Sequence, residues 1–297
     1  LRHKRSVVHF LDYEYITLCA VIACLKRWAG VSVYVTIHPS DFGAGGLSIA
    51  ACYKKVAGFF MRHCFKGVCG VITHGEWIRD RVVKQLSLTM PVLAVNYPSA
   101  SDDMRINVAV ARSALGIPVE KRVILWFGVI RRNKRVEMAI ESLMFLPDDF
   151  VLLIAGSPAD VVEDYIQKFA ISKGVEGRIY AHLRYLDEDD VKLYFSAADL
   201  LIATHVPSFS SASGPVADAR SYRLPVVVGR SGQLSSYVDA EEVGCVALED
   251  TAPGFAEAVL RVTTKDGEVR RKIESSAIKN GWGRFSRLHK DFYHNAN

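Results

Sequence analysis

The strongest constraint on the fold is a repeated alternation of short apolar runs with longer amphipathic segments. The runs at residues 31–37, 122–127 and 150–155 are rich in valine, isoleucine and leucine, which predicts buried strands. Each of them is followed by a segment long enough to form a helix. Because strand–helix–strand repeats pair their strands in parallel, we predict an α/β fold with parallel sheets.

The same alternation of apolar runs and amphipathic segments continues along the whole chain of 297 residues. The predicted strands are residues 6–10, 31–37, 70–73, 92–95, 122–127, 150–155, 178–181, 200–203 and 225–228. The predicted helices are residues 15–27, 47–65, 76–85, 107–115, 135–145, 161–173, 187–197, 214–222, 251–262 and 267–280. Proline, serine and aspartate interrupt the rhythm at residues 98–103, so we place a boundary between domains 1–104 and 105–280. Two such blocks predict two Rossmann-like domains with a ligand cleft between them.

The composition is that of an ordinary globular protein, with 50% hydrophobic and 23% charged residues. No apolar run reaches the roughly 18 residues of a membrane-spanning helix. Six cysteines lie mostly on apolar segments and form no CxxC pair, which predicts reduced, buried thiols in a cytoplasmic protein. His63, Cys64 and Cys69 do not have the spacing of a common zinc site.

Positive charge is concentrated in the first part of the chain. Residues 1–106 hold 13 Lys/Arg against 7 Asp/Glu, whereas the remainder holds 24 against 25. Two interpretations are open: a solvated basic face, or attraction to an anionic membrane surface or a phosphate-bearing acceptor. The second predicts a peripheral protein at the inner face of a membrane. A nucleic-acid partner is not expected, because basic and aromatic residues do not interleave and no nucleic-acid motif is present.

A basic loop follows the predicted strand 122–127. The strand ends at Gly128, and Arg131 and Lys134 come directly after it. Ligands of open parallel sheets bind at the carboxyl ends of strands, and a leaving diphosphate needs positive charge there. The alternative interpretation is a basic surface loop without a ligand.

A second segment of interest is rich in small residues. Serines from Ser208 to Ser213 lead into Gly214, where a predicted helix begins. Small residues let a ligand approach the backbone, and the free N–H groups of a helix N-terminus bind phosphate oxygens. Asp218 lies one turn further along this helix, where its carboxylate can accept hydrogen bonds from ribose hydroxyls. The alternative is a serine-rich helix cap.

Five segments of the chain, in order and spacing, resemble the donor domain of family-four glycosyltransferases, which are retaining enzymes of the GT-B fold. They are "VILWFGVIRRNKRVEMAIESL", "VLLIAG", "DDVKLYFSAADLLIAT", "SASGPVADARSYRLPVVVGRSGQLSSYV" and "WGRFSRLHKDFY". The last resembles a helix, here residues 281–297, that crosses back to the first domain in GT-B enzymes. The resemblance implies two Rossmann-like domains whose parallel sheets face a cleft.

This resemblance also implies roles for individual residues. Arg131 and Lys134 would bind the donor diphosphate, together with backbone N–H groups of Ser213 and Gly214. Asp218 would hold the ribose. The residues that would contact the nucleotide base are His182, Arg184 and Tyr185.

In the first domain, "VSVYVTIHPSDFG" resembles the family's strand that ends in a histidine. The resemblance makes His38 the catalytic candidate, since a histidine at the carboxyl end of a strand can position or polarise a reacting hydroxyl. The alternative is a partly exposed structural histidine. Asp41 is close enough in sequence to orient His38, and Gly43, Gly45 and Gly46 predict a mobile loop.

The chain departs from the family in several places. Many members have two glutamates eight residues apart, where this chain has Ser210 and Asp218. Ser210 has no carboxylate, so the identity of the donor sugar is left open. Arg223 stands where a glycine is common. The strand–glycine loop–helix units that usually open the first domain are not found before His38, so we expect that domain to be incomplete, in a fragment or a shortened homologue.

The resemblance implies a glycosyltransferase that moves a sugar from a nucleotide-diphosphate sugar to a glycan or lipid-linked acceptor, with retention. In the family's favoured mechanism the leaving phosphate takes the acceptor proton, and no DxD-type motif is evident here. Neither a metal nor a cofactor is therefore expected. Two alternatives remain: a non-catalytic nucleotide-sugar-binding homologue or fragment, and another GT-B enzyme such as a nucleotide-sugar epimerase or a glycan phosphorylase.

Overall fold

A computed structural model of the chain describes residues 6–28, 30–39, 42, 49–100 and 102–295. The chain divides into two compact units. The first comprises Leu1–Tyr97, Ser210–Ala212 and Gly283–Asn297, and the second comprises Pro98–Phe209 and Ser213–Trp282. The chain first leaves the first unit for the second at Tyr97–Pro98, at the start of residues 98–103, where the sequence analysis places a boundary.

A parallel sheet of four strands forms the centre of the first unit. In the order of the chain, its strands are β1 (Ser6–Phe10), β2 (Val31–Ile37), β3 (Gly70–Thr73) and β4 (Val92–Ala94). Its helices are α1 (Tyr15–Leu25), α2 (Ile49–Cys64), α3 (Glu76–Leu86) and the C-terminal α12 (Trp282–Asn295). Strand residues Val35 and Val71 share one buried core with Ile22 of α1, Met61 of α2 and Val82 of α3. This arrangement accounts for the strongly apolar sequence of β2.

The C-terminal helix α12 packs on the first sheet through aromatic rings. The ring of Tyr34 lies 5.7 Å from that of Phe292 and 4.8 Å from that of Tyr293, measured between centroids. A Cβ on Gly70 would come within 2.6 Å of the ring of Phe292, so a larger residue there would have to displace this ring. The hydroxyl of Tyr293 also lies 2.8 Å from Nδ1 of His9. Burial and the neighbouring His289 lower the pKa of His9 to about 4, which keeps that ring neutral at pH 7.

A parallel sheet of six strands forms the centre of the second unit. Its strands are β5 (Arg122–Phe127), β6 (Phe150–Ala155), β7 (Ile179–His182), β8 (Leu200–Ala203), β9 (Val226–Val228) and β10 (Gly244–Val246). Its helices are α4 (Val108–Ala114), α5 (Val136–Ser142), α6 (Glu163–Lys173), α7 (Glu188–Ala197), α8 (Gly214–Ser221), α9 (Gly232–Glu241), α10 (Ala252–Thr264) and α11 (Asp266–Lys279). Both units are therefore α/β, as predicted.

The order of the second sheet is β10-β9-β8-β5-β6-β7, and this order reverses at one place. From β5 the chain builds outward through β6 and β7, and it then returns to place β8 on the other side of β5. Ile124 and Leu125 of β5 pair with Leu200 and Leu201 of β8. Both pairs are buried, which explains why these strands are apolar without alternation.

All nine predicted strands and all ten predicted helices occur within one to three residues of their expected bounds. The sequence analysis missed α9 and β10. All six cysteines are free, but the prediction that they are buried holds fully only for Cys19. Cys24 and Cys52 are exposed on α1 and α2, and the other three are partly buried: Cys64, Cys69 and Cys245. None of the described helices is both long enough and apolar enough to cross a membrane.

The first helix of the second unit offers a test of its local stability. The side-chain oxygen of Asn107 accepts hydrogen bonds from the backbone N–H groups of Ala109 (2.9 Å) and Val110 (3.2 Å) and so caps α4. Replacing Asn107 with alanine is expected to lower the free energy of unfolding by about 1 kcal/mol, whereas aspartate should keep the cap. Urea unfolding of the two variants measures the difference. Equal stability of the two would contradict this role of Asn107.

Candidate functional site

The reversal of strand order in the second sheet brings two loops together. The first follows β5 and the second follows β8. The hydroxyl of Thr204, after β8, lies 2.7 Å from the backbone oxygen of Lys134 and 2.8 Å from that of Arg135, after β5. The backbone N–H of Val206 also donates to the oxygen of Asn133 at 2.9 Å. Ligands of open parallel sheets bind outside the carboxyl ends of the strands at such a switch point, which makes this the candidate site.

Two glycines shape the floor of the site. Gly128 and Gly156 end β5 and β6, and both have positive φ angles, 111° and 142°. A Cβ on Gly156 would stand 2.1 Å from the backbone oxygen of Gly128. The two loops thus touch backbone to backbone. A Cβ on Gly128 would stand 2.8 Å from the Nζ atom of Lys134, so the missing side chain leaves the room that the lysine occupies.

The ammonium of Lys134 is the central positive group of this site. It lies over the indole of Trp126, 5.9 Å from the ring centroid. Burial, and secondly the charge of Arg131, lower the pKa of Lys134 to about 8. Arg131 itself is exposed at the start of the turn that carries the lysine. Both predicted diphosphate ligands therefore lie on the same loop, with Lys134 the more deeply placed of the two.

A neighbouring arginine that the sequence analysis did not select holds the two loops in place. Arg135 has a left-handed backbone, with a φ of 47°. Its guanidinium donates to the backbone oxygens of Thr204 at 2.8 Å and His205 at 3.0 Å. It also forms an ion pair with Asp250. These contacts hold the loop after β5 against the loop after β8. No pattern in the sequence predicts them.

The N-terminus of α8 lies at the same place. Ser213 precedes the helix with an extended backbone, and its side chain forms no cap hydrogen bond. Pro215 occupies the first turn, where it has no N–H to leave unpaired. Gly214 is exposed, and a Cβ at this position would meet no atom within 4 Å. The first turn of α8 thus presents backbone N–H groups close to Lys134. That Ser213 and Gly214 use them to bind a diphosphate stays a prediction.

His205 is a second residue of the site that the sequence analysis missed. It helps to line a cavity of about 10 Å³ at the ends of β5 and β8, together with Trp126, Lys134, Ser213 and Pro215. Its side chain is 4% exposed, and its Nδ1 has no hydrogen-bond partner. Burial and the charges of Lys134 and Arg135 lower the pKa of His205 to about 3. The ring of His205 is therefore neutral at pH 7 and adds no positive charge beside Lys134.

Asp218, the predicted ribose ligand, lies one turn into α8. Its side chain reaches solvent, yet protein surrounds it closely enough to raise the pKa of the carboxyl to about 6. The group is mostly ionised at pH 7 and able to accept hydrogen bonds. Ser210, the residue eight positions earlier, is buried at 7% exposure. No carboxylate occupies that position to contact a donor sugar.

The three residues predicted to contact a nucleotide base follow β7. His182 is half-buried, and its Nδ1 lies 2.8 Å from the hydroxyl of Tyr194. Arg184 forms two hydrogen bonds of 2.6 Å with the carboxylate of Asp190. Tyr185 is 80% exposed. Nδ1 of His182 and the guanidinium nitrogens of Arg184 thus already have protein partners. The exposed ring of Tyr185 is the group most open to stacking, and His182 and Arg184 would contact a base through their remaining atoms.

His38, the predicted catalytic residue, lies in the first unit just after β2. Because a carbonyl only accepts, its Nε2 carries a proton and donates it to the backbone oxygen of Leu11 at 2.7 Å. Its Nδ1 lies 3.4 Å from the hydroxyl of Tyr97, at the outer limit of a hydrogen bond. Tyr97 in turn stacks on His74 at 4.0 Å. Both ring nitrogens of His38 thus have a protein partner, and the longer contact is the one at Nδ1.

The predicted contribution of Asp41 and the loop glycines Gly43, Gly45 and Gly46 lies outside the described residues. Within the part of the chain that is described, no three His, Cys, Asp or Glu side chains come together as metal ligands.

Comparison with known proteins tests the interpretation of the second unit. The family model described as "Glycosyl transferases group 1" matches residues 121–265. This part of the chain therefore resembles that family. The matched stretch contains both loops of the candidate site, the whole of α8 and the base-side segment after β7.

Curated relatives also match a part of the chain. The D-inositol 3-phosphate glycosyltransferases of Mycobacterium tuberculosis and Mycobacterium bovis are 31% identical over 180 residues, which is 59% of this chain. The match covers 36% of those proteins, so the matched part of the chain spans about a third of their length.

Solved structures resemble the chain over nearly its whole length. Sucrose-phosphate synthase from Thermosynechococcus elongatus has a TM-score of 0.79 at 16% identity, over 97% of this chain and 73% of that one. Anabaena HepE in complex with UDP has a TM-score of 0.76 at 14% identity, over 98% of this chain and 78% of that one. At these identities the resemblance shows the fold alone. With the two parallel sheets, it confirms the predicted α/β fold of GT-B type.

Proposed function

We propose that this chain is a glycosyltransferase that uses a nucleotide-diphosphate sugar as donor. The observation that carries the proposal is the position of the Lys134 ammonium beside the N-terminus of α8, at the switch point of the second sheet, in the stretch that resembles the group 1 family. HepE, a protein of the same fold, has been solved with UDP and with UDP-glucose, which supports a donor of this class.

In this proposal the donor site stabilises the charge of the leaving diphosphate. The bond between the anomeric carbon and the diphosphate oxygen breaks, and a bond from that carbon to the acceptor hydroxyl forms. The acceptor proton goes to an oxygen of the leaving phosphate. Lys134, Arg131 and the N–H groups at Ser213 and Gly214 would hold the negative charge as it develops. Asp218 would hold the ribose, and Tyr185 with its neighbours His182 and Arg184 would contact the base.

Retention of configuration, independence of metal and the nature of the acceptor are further parts of the proposal. Arg131 and Lys134, on the loop after β5, would stabilise the charge of the diphosphate as a divalent cation does in other transferases. His38 would position the reacting hydroxyl through Nδ1. The acceptor would be a glycan or a lipid-linked sugar. Transfer in the presence of EDTA, with the anomeric configuration of the product read by proton NMR, tests the first two points together.

A second candidate function is a nucleotide-sugar binder without transferase activity. It is favoured by Ser210, which places no carboxylate where many family-four members carry one. Binding of donor without turnover, at any acceptor concentration, would select this candidate over the first.

A thermal-shift screen against UDP, GDP, ADP and their sugar conjugates tests the donor site. A ligand that binds only the folded state stabilises that state, so we expect one nucleotide to raise the melting temperature. At a ligand concentration a hundredfold above the dissociation constant, the free energy of unfolding should rise by about 2.7 kcal/mol. The conjugate that binds is then assayed for hydrolysis and transfer. Absence of any shift across the whole set would refute a donor site in this chain.

The lowered pKa of Lys134 predicts a pH dependence of binding. The diphosphate binds the protonated amine, and in the free protein that form is lost as the pH rises through about 8. The dissociation constant of the nucleotide is therefore expected to rise about tenfold between pH 7 and pH 9. Arginine stays protonated throughout, so the Lys134→Arg variant should bind with a flat profile over the same range. Titration calorimetry measures both, and parallel profiles would contradict the assignment.

A further inference from the structure

Three neighbouring strands of the first sheet are each followed by a residue with a flat ring, and the three rings pack together. His38 follows β2, His74 follows β3, and Tyr97 comes shortly after β4. These strands are adjacent and parallel, so their carboxyl ends lie side by side. The ring centroid of His74 lies 5.2 Å from that of His38 and 4.0 Å from that of Tyr97. We call these three residues of the first unit the three-ring cluster.

His74 is the most buried member of the three-ring cluster, with an exposure of 7%. Its ring is nearly parallel to that of Tyr97, with an angle of 20° between the two planes. It is hydrogen-bonded to the backbone of Val95, and its Nδ1 has no hydrogen-bond partner among the described residues. Burial, and secondly the charge of His38, lower the pKa of His74 to about 4. At pH 7 the ring of His74 is therefore a neutral platform for Tyr97.

Tyr97 is half-buried, and its hydroxyl reaches from this platform to His38. Because Nε2 of His38 donates to the backbone oxygen of Leu11, Nδ1 is the unprotonated nitrogen of the neutral imidazole. The hydroxyl of Tyr97 is therefore the donor in the 3.4 Å contact with Nδ1. A hydrogen bond of this length is weak, so Nδ1 can still take a shorter one from a substrate hydroxyl.

We propose that Tyr97 is a positioning residue for His38, and that His74 holds Tyr97 in place. The inference rests on the proposed function, in which Nδ1 of His38 accepts a hydrogen bond from the reacting hydroxyl. The contacts of His38 with Leu11 and Tyr97 fix both the rotation of its ring and the nitrogen that accepts. A fixed acceptor raises the rate because the reacting hydroxyl then meets it in the productive geometry. Tyr97 acts only through His38, and His74 only through Tyr97.

Nitrogen NMR of the histidine rings tests this positioning without any substrate. In the whole chain carrying isotope-labelled histidine, the signals of His38 are assigned by their loss in His38→Ala. We expect Nε2 to carry the proton, and the Nδ1 signal to shift in Tyr97→Phe, which keeps the stacked ring but lacks the hydroxyl. His74→Ala should shift the signal as well, whereas His74→Phe, which keeps a ring beside Tyr97, should not. A protonated Nδ1, or an Nδ1 signal that is unchanged in Tyr97→Phe, would overturn the proposal.

A double-mutant cycle on sugar transfer tests whether Tyr97 acts through His38. Tyr97→Phe should lower kcat about tenfold and leave the KM of the donor within about twofold, since only the histidine is misplaced. In a His38→Ala background the same change should cost less than about twofold, because no imidazole is left to position. His74→Ala should lower kcat as Tyr97→Phe does, and His74→Phe should restore it. An equal loss from Tyr97→Phe in both backgrounds would show that Tyr97 does not act through His38.

The matched control is Tyr34→Phe, on the same strand that leads to His38. This change removes a hydroxyl that donates to the backbone oxygen of Tyr293 at 3.2 Å. It should alter neither the His38 signals nor kcat, and an equal Nδ1 shift in this variant would overturn the proposal. The two measurements separate this inference from the proposed function. An Nδ1 shift without any transfer by the unmodified protein would refute the function alone, whereas transfer without the Nδ1 shift would refute the positioning alone.

Discussion

Replacing Lys134 with alanine is expected to weaken binding of the nucleoside diphosphate by about 1.5–3 kcal/mol, which is about 10- to 150-fold in the dissociation constant. The ammonium is the most deeply placed positive group at the switch point, next to the first turn of α8. If the bound sugar is transferred, kcat should fall further, by about 10²–10³, because negative charge on the diphosphate grows in the transition state. Titration calorimetry and steady-state kinetics measure the two effects.

The control for this prediction lies at the other end of the same strand. Lys121 precedes β5, and its amine donates to the backbone oxygen of Asp148 at 3.2 Å. Lys121→Ala should leave nucleotide affinity unchanged. The pKa of Lys134 is lower in the folded protein than in the unfolded chain, so the charged lysine lowers the free energy of unfolding at pH 7. The Lys134→Ala variant should therefore melt at no lower a temperature than the unmodified protein at this pH. Equal affinities of the two variants would show that Lys134 does not bind the diphosphate.

The largest effect on stability is expected from Gly156→Ala. The residue has a φ of 142°, and the new Cβ would meet the backbone oxygen of Gly128 at 2.1 Å. No side chain can rotate to relieve this contact, so the loops after β5 and β6 must separate. We expect a loss of about 3 kcal/mol from backbone strain, and a fall in melting temperature of about 6–12 °C for a unit of this size.

Because Gly128 carries the loop that leads to Lys134, Gly156→Ala should also weaken nucleotide binding. Gly177→Ala is the matched control, since a Cβ at Gly177 meets no atom within 4 Å and its φ is not positive. That variant should unfold within about 0.5 kcal/mol of the unmodified protein. A Gly156→Ala protein as stable as Gly177→Ala would mean that the two loops do not touch as described.

Most of the fold follows from local sequence. Buried parallel strands require runs such as residues 122–127 and 150–155, and the glycines and polar loops between them mark where each strand ends. The two elements that were missed are the ones with the weakest local patterns. Helix α9 contains the adjacent serines Ser235 and Ser236 in its middle, and β10 is only three residues long. β10 forms because it pairs with β9 at the edge of the sheet, and this tertiary contact cannot be read from the local sequence.

The placement of Lys134 and of the start of α8 at one end of the sheet was predictable, because residue chemistry and loop position coincide there, while their roles as ligands stay predictions. It was not predictable where the role depends on distant contacts. Arg135 resembles any other basic loop residue until its hydrogen bonds to Thr204 and His205 are seen. His205 stands in an unremarkable segment, and only the fold buries it beside Lys134. Arg223, noted in the sequence at a position where glycine is common, does adopt a positive φ of 53°.

Hydrogen–deuterium exchange with the nucleotide selected by the thermal-shift screen tests the central claim most directly. Bound diphosphate should slow exchange of backbone amides in residues 128–136, after β5, and in residues 213–218, at the start of α8. Residues 118–122, at the amino end of β5 and so at the opposite end of the strands, should exchange as before. Protection confined to any other part of the chain, with the nucleotide demonstrably bound, would contradict a donor site at the ends of β5 and β8.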